Sequence, residues 1–169
     1  MNFEFVISEL ERNITVFKSL LENTPVDLVK WKPEKDKWSL LEIICHLCDE
    51  EREDFRQRVQ HVLETPVNLM PAIDPVAWVT SRKYMEQDFN RKLNEFAAER
   101  EKSILWLKQL KDPNWENIYK HPKVGDLKAE LFFVNWLAHD YLHIRQITKN
   151  KYLYLKQSTG ETLDYAGEW

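Results

Sequence analysis

Residues 37–51 read KWSLLEIICHLCDEE, and the fold is decided in this stretch. Ser39 followed by Glu42 is a capping box: the serine oxygen takes a free helix amide, and the glutamate reaches back to the cap residue. From Ser39 onward Leu40, Ile44, Leu47, Phe55, Val59 and Val62 recur at three- and four-residue spacings, one face of a helix over about residues 39–65 that stops before Pro66. Glu51 stands on that stripe where the spacing calls for an apolar residue.

Working outward, the prolines punctuate the chain, because each removes a helix donor and restricts its predecessor. Pro25 and Pro33, then Pro66, Pro71 and Pro75, then Pro113 and Pro122 leave four proline-free blocks. In the first, Phe3, Val6, Leu10, Ile14, Phe17 and Leu21 predict a helix over about 2–24. In the third, Met85, Phe89, Leu93, Phe96, Ile104 and Leu107 predict one over 81–110, with Arg100 interrupting its stripe. Two opposite charges, Glu51 and Arg100, therefore point inward. In the fourth, Gly125-Asp126 reads as a stop and cap, and Leu127, Leu131, Val134, Tyr141, Ile144 and Ile147 continue a helix over 126–150. Residues 151–169 alternate briefly, turn polar, and read as an extended tail whose Tyr152, Tyr154, Tyr165 and Trp169 could cover a partner surface. The expected architecture is all-α, a four-helix bundle with long inter-helix loops in a single domain over 1–169.

Composition excludes several function classes. The chain has three glycines in 169 residues and none before Gly125, so a glycine-rich phosphate loop or a dinucleotide fingerprint has no place to form. With 24 basic and 28 acidic residues interspersed, the net charge of −4 offers no footprint for nucleic acid or an anionic membrane. The opening MNFEFVISELERN lacks the basic end and apolar run of a signal peptide, and no apolar run is long enough to span a bilayer. A cytoplasmic protein without structural disulfides is expected. Cys45 and Cys48 have a redox spacing, but no strand precedes their helix; both read as small packing residues.

The chemistry lies with the histidines. His139 and His143 stand four apart, so their side chains share one helix face at metal-ligand spacing. A catalytic ion takes three protein ligands and keeps an open position, and His46, flanked by Ile43, Ile44 and Leu47, is the candidate third. An HxxxH pair also arises in helices that bind nothing. His61 and His121, among polar neighbours, read as solvent-facing. Asp49, Glu50, Glu51 and Asp140 lie within about a turn of the histidines, where carboxylates orient metal-bound imidazoles. Glu51 is favoured as an outer partner or acid–base group, against a buried ion pair with Arg100. Gln146 either orients a ligand or makes a helix-packing hydrogen bond. Trp136, one turn before His139, is a possible pocket wall, and Trp38 reads as a staple against the bundle. The charge run over Asp49–Asp54 reads as solvated helix surface.

Lys37-Trp38-Ser39, Glu42, His46-Leu47 and Glu51 resemble the WS-x-x-E-x-x-x-H-L-x-x-x-E signature of the DinB superfamily. His139-x-x-x-His143-x-x-Gln146-Ile147 resembles its C-terminal H-x-x-x-H-x-x-Q-I signature, and His121-Pro122 through Gly125 resembles the DinB_2 or YfiT-like branch. The resemblance implies a four-helix bundle, commonly a homodimer, with a divalent metal ion (zinc, nickel, iron or cobalt) on His46, His139 and His143. It also implies chemistry on a metal-bound thiol or water. Relatives include transferases that use low-molecular-weight thiols such as bacillithiol or mycothiol, and proteins described as metal-dependent hydrolases. The expected function is thus a metal-dependent thiol S-transferase or hydrolase acting on a small molecule, with Glu51 as proton carrier and Asp49 and Gln146 behind the ligands. The alternative is a non-catalytic dimeric stress-related binding protein whose metal is structural or absent.

Overall fold

The computed structural model describes residues 2–167. Helix α1 (Phe3–Leu21) starts where Asn2 accepts a hydrogen bond from the Phe5 amide, and buries Val6, Leu10, Asn13, Phe17 and Leu21 along one stripe. A short helix α2 (Val26–Val29) follows Pro25. Helix α3 (Leu40–Glu50) carries both halves of the capping box on Ser39 and Glu42, and each of its residues is buried. Such a cap contributes about 1 kcal/mol. A π-helical turn over Glu51–Phe55 joins α3 to α4 (Arg56–Glu64).

Helix α5 (Pro75–Ser81) and a 3₁₀ turn (Tyr84–Glu86) lead to α6 (Phe89–Gln109), which Asp88 caps. Strands β1 (Ile118–His121) and β2 (Gly125–Lys128) form an antiparallel hairpin with Tyr119 opposite Leu127. Helix α7 (Ala129–Thr159) completes the bundle. The architecture is mostly helical, and the hairpin is a minor addition.

The element limits differ from the sequence reading in four places. The helix expected over 39–65 is interrupted by the π turn. The helix expected from 81 begins at Phe89, because the left-handed backbone at Lys83 and the 3₁₀ turn separate Met85 from α6. Gly125 and Asp126 do not cap a helix: Gly125, at a φ of 87°, serves the hairpin turn. The first α7 amides, Ala129 and Glu130, are instead taken by the Asn117 and Trp115 carbonyls. The tail expected to be extended from 151 is helical to Thr159, where Gly160 ends the helix with a φ of 69°. Local alternation loses there to packing, since the Tyr154 ring meets Trp31 edge-on at 5.4 Å. Beyond Gly160, Asp164–Ala166 form a 3₁₀ turn, and Trp169 lies outside the described residues.

The four long stripes share one plan. One apolar cluster gathers Phe17, Leu21, Ile43, Ile44, Leu47, Phe96 and Ile147, and a second gathers Val6, Leu10, Phe55, Val59, Ile104, Leu107, Phe133, Trp136 and Leu137. Helices α1 and α7 run from the second cluster to the first, and α3–α4 and α6 run the other way. Between the clusters the four stripes contribute buried polar residues that meet one another: Asn13, Glu51, Arg100 and Asp140. Arg100 donates through Nη1 and Nη2 to Asp140 Oδ2 and Oδ1 at 2.7 and 2.8 Å, and through Nε to Glu51 Oε2 at 2.8 Å. Asn13 donates to Asp140 Oδ2 at 2.9 Å, Trp136 Nε1 to Glu51 Oε2 at 2.8 Å, and Arg100 also reaches the Leu10 carbonyl. A waist of hydrogen-bonded charge thus ties all four bundle stripes at one level.

Removing one member of a buried ion network strands the others in low dielectric, at about 3–5 kcal/mol. Arg100→Leu is expected to lower unfolding free energy by roughly that amount. Urea unfolding curves shifted by less than about 1 kcal/mol would show that the waist does not hold the bundle.

Candidate metal centre

His46 on α3 and His139 and His143 on α7 meet beside this waist. His139 Nε2 lies 3.2 Å from His46 Nε2 and 3.0 Å from His143 Nε2. One ring nitrogen from each residue lies within 4.8 Å of the other two. Nitrogens bound at about 2.0–2.1 Å to a tetrahedral ion sit roughly 3.3 Å apart, close to the two short separations here.

The protons are arranged to match. His143 Nδ1 donates to Gln146 Oε1 at 2.8 Å, so the neutral ring turns its Nε2 lone pair inward. Burial pushes His46 down to about 3 and His139 down to about 2, with the neighbouring imidazoles adding to the effect. Burial also lowers His143. Three neutral rings facing one another at this range cannot satisfy all their inward lone pairs with each other's protons. A cation at their centre would, so the donor set fits a divalent ion of imidazole-binding type.

The walls are aromatic. The Trp38 ring lies 4.7 Å from His46 and is parallel to His143 at 6.4 Å, and Phe55 lies 4.9 Å from His139. The π turn begins at Glu51 and ends at Phe55, so a widened turn, a feature often found at functional sites, sits directly against this centre.

A sequence model of the DinB superfamily matches residues 9–147, most of the chain. The chain belongs to the DinB superfamily. Among solved structures, this DinB protein is similar to YfiT from Bacillus subtilis, described as a probable metal-dependent hydrolase with an unusual four-helix bundle topology. The two share 17% identity and a TM-score of 0.78, over 95% of this chain and 89% of that one. That likeness establishes the shared fold. No curated protein matches the chain.

The other residues singled out in the sequence fall into different places. Gln146 sits on His143 as an orienting acceptor. Asp49 goes to a separate network, held by Arg52, Arg82 and the Tyr84 hydroxyl, each at 2.8 Å. Glu51 takes the ion-pair alternative with Arg100, and its Oε1 is buried without a hydrogen bond. The carboxyl nearest a ring is that of Glu50, whose Oε1 lies 3.9 Å from His46 Nδ1, itself buried without a partner. Burial, with Asp54 beside it, pushes Glu50 up to about 9, so it holds its proton near neutrality. Its i+4 spacing from His46 was the signal for it.

Trp136 spends its indole N–H on Glu51 in the core and is not a pocket wall. Trp38 is one, and nothing in its spacing announced that. His61 and His121 are half-buried rather than solvent-facing. His61 approaches the Asn68 carbonyl at 3.0 Å, and His121 Nδ1 accepts the Lys123 and Val124 amides in the hairpin turn. Burial pushes the Cys45 and Cys48 thiols up to about 12 and 11, so both stay protonated packing groups.

Because the folded histidines titrate below their unfolded value of about 6.5, the metal-free protein is expected to lose stability as pH falls below that value and to keep it above. Ring proton resonances of His46 and His139 should hold their neutral positions from pH 8 to 5. Protonation midpoints above pH 6 would contradict the burial described here.

Proposed function

We propose that this DinB superfamily protein is a metal-dependent enzyme of hydrolase or low-molecular-weight-thiol S-transferase type, with its ion on His46, His139 and His143. The convergence of three neutral imidazole nitrogens from two helices carries this reading. Zinc, nickel, iron and cobalt all accept such a set. A divalent ion with an open position supplies Lewis acidity, polarising a substrate bond or making a water or thiol a nucleophile near neutral pH.

The chain's own residues do the rest. Gln146 fixes the His143 proton on Nδ1 and keeps Nε2 available. Trp38 and Phe55 screen the rings from water. Arg100, held by Glu51 and Asp140, positions α7 and with it His139, the residue next to Asp140. Three histidines, with no fourth ligand beside them among the described residues, favour an open, catalytic position over a closed structural site.

His143→Ala should reduce bound metal from about one ion per chain to a small fraction, read by elemental analysis of untagged protein. Full stoichiometry in that variant overturns the ligand assignment. We also propose that the protein acts as a homodimer, a reading supported by Leu131 and Tyr141, which α7 leaves exposed. Sedimentation at micromolar concentration should return twice the chain mass, and the monomer mass would remove the dimer.

A further inference from the structure

Two buried side-chain polar atoms lack a hydrogen-bond partner among the described residues: Glu51 Oε1 and His46 Nδ1. The first belongs to a carboxyl whose other oxygen is held in the waist by Arg100 and Trp136. The second lies on the back of a proposed metal ligand. His46 turns Nε2 toward His139, so a ring that gives this lone pair to an ion must carry its proton on Nδ1. His143 meets the same requirement with Gln146 Oε1 as its acceptor. For His46 the oxygen at hand is Glu50 Oε1, at 3.9 Å, about an ångström beyond hydrogen-bond range.

Stability gives no reason for a carboxyl at position 50. Glu50 is buried at the end of a helix whose residues are all buried, and no lysine or arginine among the described residues pairs with it. Arg58 spends Nε on Asp54 and Nη1 on the Met70 sulfur. Asp54 adds a second carboxyl beside Glu50. A carboxyl buried next to another, without a cation of its own, costs free energy that an apolar side chain would not. What the position does offer is direction. His46, Glu50, Asp54 and Arg58 follow at intervals of four along α3, the π turn and α4. Arg58 holds Asp54, Asp54 backs Glu50, and Glu50 stands behind the imidazole, its neighbour one turn away on the helix face.

We propose that Glu50 is a positioning residue for His46: when an ion sits on the three histidines, its carboxyl closes on the ring, accepts a hydrogen bond from Nδ1–H and holds Nε2 toward the ion. The proposal rests on the metal reading above and adds the residue that sets the His46 tautomer. Both the ionised and the protonated carboxyl offer an accepting oxygen, so the role does not depend on the charge of Glu50.

The test uses the full, untagged chain with zinc as the probe. Competition against a chromophoric chelator should give Glu50→Leu a zinc affinity about 10- to 100-fold weaker than that of the unmodified protein, the usual effect of losing such an outer partner. Glu50→Gln, which puts an amide oxygen in the same place, should keep the unmodified affinity. Thermal unfolding of the metal-free variants separates a folding defect from a ligand defect, and Glu50→Leu should be at least as stable as the unmodified protein because it removes a buried carboxyl. Nitrogen-15 spectra of the zinc-loaded unmodified protein should show His46 bound through Nε2 and protonated at Nδ1, with that proton downfield as in a hydrogen bond. Unchanged zinc affinity in folded Glu50→Leu, equal losses in the leucine and glutamine variants, or zinc bound through His46 Nδ1 overturns the proposal. If Glu50→Leu does not fold, the spectrum of the unmodified protein decides alone, since an Nδ1 proton at the position of a free ring N–H overturns the proposal too. Failure of the unmodified protein to bind zinc overturns the metal reading and the proposal together, and shows before any variant is made.

Discussion

The fork between Arg100 and Asp140 sets the arrangement of everything else in this bundle. A guanidinium buried between two apolar clusters is tolerable only when its donors are met, and here they are met by residues from three other segments: Asp140 on α7, Glu51 in the π turn and the Leu10 carbonyl on α1. Asn13 closes the set from α1. Apolar stripes can slide by a turn at modest cost, because leucine against leucine looks much the same in either register. A two-pronged ion pair cannot, since a slip of one residue would strand a charge in the core. The waist therefore selects one register of four helices from the several that the hydrophobic pattern alone would permit.

That register makes the metal centre. His139 precedes Asp140, so pinning Asp140 to Arg100 fixes where His139 sits, and His143 follows one turn later on the same face. The opposite helix is pinned through Glu51, and His46 lies five residues before it. The π turn at Glu51–Phe55 lets the chain supply Glu51 to the waist and Phe55 to the wall of the histidine centre from successive turns. Structure and site are thus coupled: the network that holds the bundle together also brings the His46 and His143 nitrogens within hydrogen-bond range of His139 Nε2, with burial keeping the rings neutral.

Much of this was legible beforehand. The four stripes, the Ser39 cap, the inward Glu51 and Arg100, and the histidine pair four apart all follow from helical periodicity, and the motif resemblance joined His46 to that pair. Helix limits were less legible. Residues 151–159 alternate like an extended segment, yet the uninterrupted α7 ladder and the packing of Tyr154 on Trp31 keep them helical. Gly125-Asp126 has the chemistry of a helix start, but the hairpin claims the glycine, and carbonyls from Trp115 and Asn117 cap α7 instead. Trp38 carried no periodic signal because it precedes its helix, and Asp49 could not be told from Glu50 as the neighbour of His46 without knowing where Arg52, Arg82 and Tyr84 lie.

The sequence by itself determined the helical class, the stripe each helix buries, the polar interruptions in those stripes and the residue types able to hold a metal, because all of these depend on neighbours within a turn or two. Only the tertiary structure decided which polar residues pair with which, that Glu51 and Asp140 share Arg100, and that the three imidazoles converge. Those outcomes depend on contacts between residues far apart in the chain, 127 positions for Asn13 and Asp140, and no local pattern encodes the distance across a bundle.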